Sequence, residues 1–312
     1  MRPHVFVHTN HRQLVGALVS AHAFRHRSRH ADRFDVAIIR LADHPFFARH
    51  EGELYRRAGA RLPWRNDDLQ SFTPLRFMPP ELMGYAGRAL VVDPDVFAVG
   101  DVWELLARDM GGKAILCRVH GGVKRTVRGL YASSVMLLDC ARLRHWRTEA
   151  QFDALFASTR DYRTWLGLGY EDPATIGELA AAWNDFDHLG PETKLLHNTR
   201  RLTQPWKTGL PVDFLPVERF PLFPPFGWLM TARRRLFGDY ALLGRYRRHP
   251  DPRQEALFWA LLREAIDDGA LGEPFLREEM KLGHLRQDAL DHVARAPAVE
   301  AVLAGLAPRR AA

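Results

Sequence analysis

Asp93 and Asp95 interrupt an apolar run in the sequence RALVVDPDVFAVGD, where packing alone gives no reason for charge. Ionised carboxylates beside a hydrophobic core are costly unless they are paired or hold a metal. Two carboxylates on one short turn can chelate a hard divalent cation through oxygen. The alternative is a plain Asp-Pro-Asp turn, which both residue types favour. The pattern therefore predicts a metal site or a turn at the end of a strand.

His197 is the best candidate for a third ligand, because it ends an extended segment in KLLHNTRRLTQPWKTG. Imidazole together with carboxylates suits Mn²⁺ better than Ca²⁺. A metal held there could bridge the two phosphates of a nucleoside diphosphate and neutralise charge as that group departs. We expect Asp93, Asp95 and His197 to hold Mn²⁺ or Mg²⁺. A purely structural histidine is the alternative.

The elements around these residues predict an α/β fold. HVFVHTN and FDVAIIRL are typical of strands, and the helical pattern of HRQLVGALVSAHAFRHRS lies between them, so the chain opens with a βαβ unit. RALVVDPDV follows as a third strand, with its acidic residues at the carboxyl end, where open α/β sheets bind ligands. EGELYRRAG indicates a further helix. KAILCRVH and LYASSVMLLDC indicate two more strands.

The C-terminal part of the sequence predicts helices. The segment LPVDFLPVERFPLFPPF is proline-rich and indicates a connector. Three amphipathic segments follow it: RQEALFWALLREAIDDG, EPFLREEMKLGHLRQDALDHVARA and PAVEAVLAGLA. We therefore expect a catalytic α/β domain over residues 1–218 and a helical extension over residues 219–312.

Composition and charge restrict the classes of protein. The 312 residues have a net charge of +7, which favours an anionic partner. Two cysteines are too few for a disulfide scaffold, and no apolar run is long enough to span a membrane, so we expect a cytoplasmic protein. Basic residues concentrate between Arg233 and Arg248, after the aromatic FPPFGWLM. This cluster predicts a solvated face or a peripheral contact with the inner face of the membrane. No recognition motif accompanies it, so we expect no nucleic-acid partner.

Four stretches together resemble glycosyltransferase family 8, the retaining galactosyl- and glucosyltransferases of the GT-A fold related to glycogenin and the lipopolysaccharide galactosyltransferases. The resemblance covers about residues 3–210. The stretches are VFVHTNHRQLVGALVSA, FTPLRFMPPEL, RALVVDPDVFAVGDVWELL, and SSVMLLDCARLRHW together with HNTRRLTQPWKTG. The third of these contains the aspartate-any-aspartate segment of the family.

The resemblance implies a GT-A fold, with a Rossmann-like, mostly parallel sheet flanked by helices. It implies metal-dependent transfer of a sugar from a nucleotide sugar, most plausibly a UDP-sugar, to an acceptor hydroxyl with retained configuration. The acceptor would be a glycan, a lipid-linked molecule or a protein. The implied donor-binding residues are Thr9, Asn10, Gln13, Arg76, Asp93 and Lys207, and the catalytic candidates are Asp185, Asp187 and Arg200.

The sequence departs from the family pattern at several positions. Asn10 stands where the family usually has Asp, and Gln13 where Tyr is common. Gln204 occupies the place of the lysine that binds the diphosphate. Arg200, Arg201 or Lys207 could supply the missing cation, and an arginine fork suits phosphate well.

Two other functions share part of the pattern. Haloacid-dehalogenase-type phosphohydrolases also carry Asp-x-Asp at a strand end, where Asp93 would be the nucleophile and Asp95 the acid. Their motif normally lies on an early strand, however, and here a βαβ unit precedes it. The altered Gln204 and Asn10 also allow a catalytically silent protein that only binds nucleotide sugars.

Overall fold

The computed structural model describes residues 1–121, 130–214, 232–233 and 236–306. The strands are β1 (His4–Thr9), β2 (Asp35–Arg40), β3 (Leu54–Arg57), β4 (Ala60–Pro63), β5 (Arg88–Val92), β6 (Val96–Ala98), β7 (Ile115–Val119), β8 (Tyr131–Asp139), β9 (Ile176–Glu178), β10 (Asp185–Phe186) and β11 (Leu195–His197). The α-helices are α1 (Leu14–His26), α2 (Phe46–Arg49), α3 (Pro79–Leu82), α4 (Trp103–Leu106), α5 (Thr148–Phe156), α6 (Tyr162–Leu166), α7 (Pro252–Asp267), α8 (Glu273–Lys281), α9 (Ala289–Arg295) and α10 (Val299–Ala304).

A six-stranded sheet with the order β2-β1-β5-β8-β7-β9 forms the centre of the fold. Strand β1 pairs in parallel with both β2 and β5, and β7 pairs in parallel with β9. Strand β8 alone runs antiparallel to its neighbours β5 and β7. The sheet is therefore mostly parallel, as the sequence predicted.

A second sheet of three strands, in the order β10-β11-β6, lies beyond the end of β5. Strand β11 pairs antiparallel with β6, and this register sets His197 opposite Val96. Because Val96 directly follows Asp95, the pairing brings the predicted third ligand to the acidic turn.

Helices cover both faces of the main sheet. Val5, Val7, Leu90 and Val92 point into a core shared with α1 and α7–α10, whereas the alternating residues of the same strands point into a second core with α5 and α6. A continuous apolar run is typical of such a strand, because both of its faces are buried. The α/β fold class is thus confirmed.

The C-terminal helices pack against the α/β core. Leu257, Phe258 and Leu261 of α7 are buried in the same cluster as α1. The predicted domain boundary at residue 218 lies outside the described residues and stays a prediction, as does the structure of most of the proline-rich connector.

The predicted helix over residues 51–59 is wrong, because this segment forms one arm of a β-hairpin. Strands β3 and β4 pair antiparallel with Arg57 opposite Ala60. Ala58 and Gly59 form the two-residue turn, and both have positive φ, at 51° and 81°. Two left-handed residues match the twist of a tight hairpin, and a helix cannot pass through them.

The long helix predicted over residues 273–296 is divided into α8 and α9. Gly283 interrupts it with a φ of 72°, a left-handed conformation that ends a helix. Among the described residues, no helix combines the length and the apolar character needed to cross a membrane. Cys117 and Cys140 are free thiols buried in the core, and burial raises the pKa of each to about 12.

Candidate functional site

The acidic turn lies between β5 and β6, at the carboxyl end of the parallel strands. The backbone N–H of Val96 donates to the carbonyl of Asp93 at 3.2 Å, which closes the turn. The backbone N–H of Asn198 donates to the carbonyl of Asp95 at 3.0 Å and ties the turn to the end of β11. One oxygen or nitrogen from each of Asp93, Asp95 and His197 lies within 4.8 Å of the others. The structure therefore brings the three predicted ligands together.

Asp93 is held by two residues from other elements. Nη2 of Arg76 donates to its Oδ1 at 2.7 Å, and Nε2 of His8 lies 2.9 Å from the same oxygen. Burial would raise the pKa of Asp93, but Arg76 and His8 outweigh burial and hold this pKa below its usual range. Asp93 therefore stays ionised at neutral pH.

Asp95 and His197 form the second pair of the cluster. Nε2 of His197 lies 3.3 Å from Oδ1 of Asp95, and Nδ1 of His197 is 2.8 Å from Oδ1 of Asn184. An amide oxygen can only accept, so Nδ1 carries the proton and the other ring nitrogen faces the carboxylates. Burial would lower the pKa of His197, but Asp95 and Asp93 outweigh it and raise this pKa.

The cluster has the chemistry of a site for a divalent cation. Oδ1 of Asp95 is buried and has no hydrogen bond from the part of the chain that the structure describes. A buried carboxylate oxygen without a donor is costly, and a cation would satisfy it. Two carboxylates and an imidazole nitrogen form a donor set that suits Mn²⁺ or Mg²⁺. The residues therefore fit the predicted metal.

A cavity of about 800 Å³ opens beside this cluster. Among the described residues, its lining carries two carboxylates, from Asp93 and Asp95, and six guanidinium groups. The arginines are Arg57, Arg76, Arg163, Arg200, Arg201 and Arg247. The excess of positive charge favours an anionic ligand.

Some of the predicted donor-binding residues line this cavity and others lie beside it. Gln13 and Arg76 line it, as do both aspartates. The side-chain amide of Asn10 instead donates to the carbonyl of Asp68 at 2.8 Å and to Oγ of Ser71 at 2.9 Å, and so holds the neighbouring loop. Thr9 is buried and bonds the carbonyl of Asn10.

Lys207 is fully buried and does not line the cavity. Its Nζ donates to Oδ2 of Asp213 at 2.6 Å. Arg200 and Arg201, by contrast, both line the same cavity as Asp93, Asp95 and His197. Of the three cations that could replace the family lysine, the two arginines are therefore the ones in position.

Asp185 and Asp187 flank the cavity without lining it. Asp185 accepts a hydrogen bond from Oγ1 of Thr193 at 2.7 Å. Asp187 accepts from Oγ1 of Thr199 and from the backbone N–H of Arg200, the latter at 3.1 Å. Both carboxylates support the loops on either side of β11, next to Phe186, which does line the cavity.

Four residues of the site were not predicted from the sequence. They are His8, Ser133, Asn184 and Gln204, the last as a hydrogen-bond donor to the acidic turn. Ser133 accepts from Nη1 of Arg76 at 2.6 Å, and Nε2 of Gln204 donates to Oδ2 of Asp95 at 3.3 Å. A histidine inside an apolar strand was the available signal for His8, because the parallel register of β1 and β5 carries it to the level of Asp93.

Comparison with known proteins gives structural similarity only. No protein-family model matches the sequence, and no curated protein is similar to it. The glycosyltransferase GlyE of Streptococcus pneumoniae TIGR4 is 14% identical over 86% of this chain and 64% of its own, with a TM-score of 0.45. This chain thus spans less than two thirds of the length of GlyE.

Two further solved structures are similar to this chain. The galactosyltransferase LgtC, in complex with donor and acceptor sugar analogs, is 13% identical over 65% of this chain and 89% of its own, with a TM-score of 0.43. Mouse xyloside xylosyltransferase 1 is 13% identical over 64% of this chain and 98% of its own, with a TM-score of 0.41. All three structures are described as glycosyltransferases.

Proposed function

We propose that this chain is a metal-dependent glycosyltransferase that moves a sugar from a nucleotide sugar, a UDP-sugar, to an acceptor hydroxyl. The observation that carries the proposal is the buried carboxylate oxygen of Asp95, which has no hydrogen bond among the described residues. It lies close to Asp93 and His197, and all three residues line a basic cavity. A site of this kind suits a cation on one side and phosphate on the other.

The charges of the cavity support a diphosphate as the ligand. Six arginines and two aspartates give the described part of the lining an excess of four positive charges, before any metal is counted. Arginine presents a planar fork of donors that matches phosphate oxygens. Arg200 and Arg201 lie in the loop after β11 and would bind the diphosphate in place of the lysine that Gln204 replaces.

Asp93, Asp95 and His197 would hold Mn²⁺ or Mg²⁺, and the bound cation would neutralise the charge that develops on the departing nucleoside diphosphate. Arg76 fixes the orientation of Asp93, and Asn184 fixes that of His197. These residues hold the ligand atoms in place before substrate arrives, which is how electrostatic catalysis avoids a cost of reorganisation. Arg200 would stabilise the same leaving group.

The acceptor and the stereochemistry rest on the sequence resemblance. Retention of configuration is the property of the family that the sequence resembles. Asp185 and Asp187 would orient the acceptor through the loops that they support, and Gln13 would contact the donor. Thr9, Asn10 and Lys207 would act on the donor by holding the loops around it. The acceptor class is a glycan, a lipid-linked molecule or a protein.

The charge pattern also argues against the phosphohydrolase alternative. Among the described residues, Asp93 and Asp95 are the only acidic side chains in the cavity lining, so no further carboxylate is there to hold a catalytic Mg²⁺. Asp93 would also have to act as a nucleophile while paired with Arg76. An ion-paired carboxylate is a weaker nucleophile than a free one.

A cytoplasmic location stays a prediction, and so does a peripheral contact between Arg233–Arg248 and the membrane. Several of these arginines have partners within the chain. Arg247 lines the cavity, Arg248 pairs with Glu255 at 2.9 Å, and Arg233 is buried against the carbonyls of Asp239 and Ala241. These described arginines of the cluster therefore contact other parts of the chain or line the cavity.

The deciding experiment is calorimetric titration of UDP, GDP and ADP, each in Mn²⁺ and again in EDTA. We expect one diphosphate to bind in Mn²⁺ and to lose its affinity in EDTA. Asp95→Asn should abolish the metal-dependent part, whereas Asp109→Asn, an aspartate in the distant turn before Gly111, should leave it unchanged.

Turnover completes the test. The matching nucleotide sugar should be consumed in the presence of an acceptor panel, and Asp95→Asn should not consume it. Metal-independent binding to all three diphosphates would contradict the assignment of Asp93, Asp95 and His197 as metal ligands. Binding without turnover would indicate the catalytically silent protein, and hydrolysis of a generic phosphoester would indicate the phosphohydrolase.

A further inference from the structure

A second group of metal-binding side chains lies far from the cavity, where α1 meets the end of α7. His22 and His26 stand four residues apart on α1, so their side chains share one face of the helix. Their rings stack with centroids 4.1 Å apart. Nε2 of His22 is 3.4 Å from Oδ2 of Asp268, and Nε2 of His26 is 3.1 Å from the same oxygen. Three ligand atoms thus converge on one point.

Glu264 lies one turn earlier on α7 and adds a carboxylate beside His22. Its Oε2 lies 3.4 Å from Nε2 of His22, and neither atom has a hydrogen bond among the described residues. Its other oxygen, Oε1, is paired with Arg27, whose guanidinium also reaches Glu300. The cation of Arg27 is therefore compensated, and the ring nitrogen of His22 faces negative charge.

The spacing of His22 and Asp268 suits two ligands of one metal ion better than a hydrogen bond. A zinc ion with ligand bonds of about 2.0–2.1 Å requires ligand atoms about 3.3–3.4 Å apart. Nε2 of His22 is 3.4 Å from Oδ2 of Asp268, which is longer than a normal N–H···O hydrogen bond of about 2.7–3.2 Å. His22 is only 4% exposed, so water does not satisfy its ring nitrogen.

We propose that His22, His26 and Asp268 form a site for a borderline divalent cation such as Zn²⁺. Imidazole nitrogen with carboxylate oxygen is a donor set that Zn²⁺ accepts, and three protein ligands leave a fourth position for water. The ion joins two helices that are more than 200 residues apart in the chain. The bound ion would hold the C-terminal helical part against the α/β core. The site lies at the C-terminal end of α1, and the N-terminal end of the same helix approaches the acidic turn.

The test uses the full-length, chelator-treated Asp95→Asn protein, so that Zn²⁺ at the acidic turn does not contribute. Calorimetry should find one Zn²⁺ per chain, and Zn²⁺ should raise the midpoint of thermal unfolding. His26→Gln removes one ligand and should weaken Zn²⁺ binding roughly tenfold or more, since loss of outer-sphere partners alone has effects of about that size. The same variant should lose the thermal shift.

His30→Gln is the matched control, because His30 belongs to the same histidine-rich segment and lies outside the cluster. It should bind Zn²⁺ as tightly as the parent. His26 and Asp268 are both about two-fifths exposed, so Asp268→Asn gives a second variant that should fold. Unchanged affinity in both His26→Gln and Asp268→Asn, or no Zn²⁺ bound by the parent, would overturn the proposal. Neither result depends on the glycosyltransferase proposal.

Discussion

Nη2 of Arg76 lies 2.7 Å from Oδ1 of Asp93, whereas Oδ1 of Asp95, two residues later, has no hydrogen bond from the described part of the chain. The two aspartates of the motif therefore have different roles. Asp93 is already paired and stabilises the fold as well as the site. Oδ1 of Asp95 is available to a ligand, while its Oδ2 accepts from Gln204.

This difference predicts opposite phenotypes for two substitutions. Asp95→Asn should abolish metal-dependent nucleotide binding and leave the unfolding midpoint within a few degrees of the parent. Arg76→Met should leave Asp93 as a buried charge without its partner, at a cost of about 3–5 kcal/mol in the free energy of unfolding. Urea denaturation and calorimetry with UDP and Mn²⁺ measure the two effects.

Arg163→Met is the control for charge removal, because Arg163 lines the same cavity and has no ion pair with Asp93. Its free energy of unfolding should change by less than about 1 kcal/mol. If Arg76→Met were as stable as Arg163→Met, the pairing of Arg76 with Asp93 would not contribute to the fold in the way described.

Gly16 on α1 provides the space for the acidic turn. A Cβ at this position would lie 2.8 Å from the carbonyl oxygen of Pro94 and 3.1 Å from the ring of Trp206. Gly16→Ala should therefore displace the turn, destabilise the protein by about 1–3 kcal/mol and weaken Mn²⁺-dependent binding. Thermal unfolding and metal titration measure both.

Gly305→Ala is the matched substitution, because a Cβ there meets only ordinary contacts at 3.4 Å and beyond, and its φ is in the helical range. It should be neutral or slightly stabilising, since alanine loses less conformational entropy than glycine. Equal stability and equal Mn²⁺ binding in the two alanine variants would mean that α1 and the turn can separate at no cost, and that Gly16 is not needed for their close contact.

Arg201 should bind the phosphates of the donor. It lines the cavity, and burial together with repulsion from Arg57 lowers the pKa of its guanidinium, so an added anion relieves an unfavourable charge. Arg201→Ala should lower the affinity for UDP about 10- to 100-fold, the value of one charge-assisted interaction, and leave uridine binding nearly unchanged. Titration with both ligands separates phosphate from base.

Arg245→Ala is the control, because Arg245 is in the same basic cluster but donates to the carbonyl of Gly209. A parallel loss of UDP and uridine affinity in Arg201→Ala would indicate a change in cavity shape and would remove the assigned contact.

Much of the site was predictable because charged residues interrupt apolar patterns. Asp93 and Asp95 follow the buried strand β5, and His197 is the last residue of the buried strand β11. The pairing of His8 with Asp93, of Asn184 with His197 and of Ser133 with Arg76 was not predicted, because each depends on contacts between segments distant in sequence. A sequence gives the ends of strands more readily than their neighbours.

The predicted nucleotide-binding loop shows a second limit. Asn10 and Lys207 have polar side chains of the expected types, yet both are buried and bonded inward. Sequence patterns do not distinguish a polar group that faces a ligand from one that holds a loop. The hairpin of β3 and β4 was missed for a related reason, because its turn depends on a left-handed Ala58 that no propensity favours.

The buried ion pair of Lys207 and Asp213 stabilises the segment that follows His197. Nζ of Lys207 is 2.6 Å from Oδ2 of Asp213, and Tyr246 donates to Oδ1 of the same carboxylate at 2.5 Å. Asp213→Asn leaves the lysine charge buried and should cost about 3–5 kcal/mol in the free energy of unfolding. Lys207→Met combined with Asp213→Asn should recover part of this loss, because no unpaired charge remains.

The pH dependence of stability gives an independent measurement. Burial would raise the pKa of Asp213, but Lys207 and Tyr246 outweigh it and keep this pKa below its usual value of about 3.9. The unfolded chain then binds the proton more readily, so the contribution of Asp213 is complete above about pH 4 and is lost as the pH falls through its lower folded-state value. Urea denaturation between pH 6 and pH 3 (~3 pH units of range) should show a steeper acid loss in the parent than in Asp213→Asn. Parallel curves would mean that Asp213 titrates alike in both states, and the ion pair would then contribute nothing to stability.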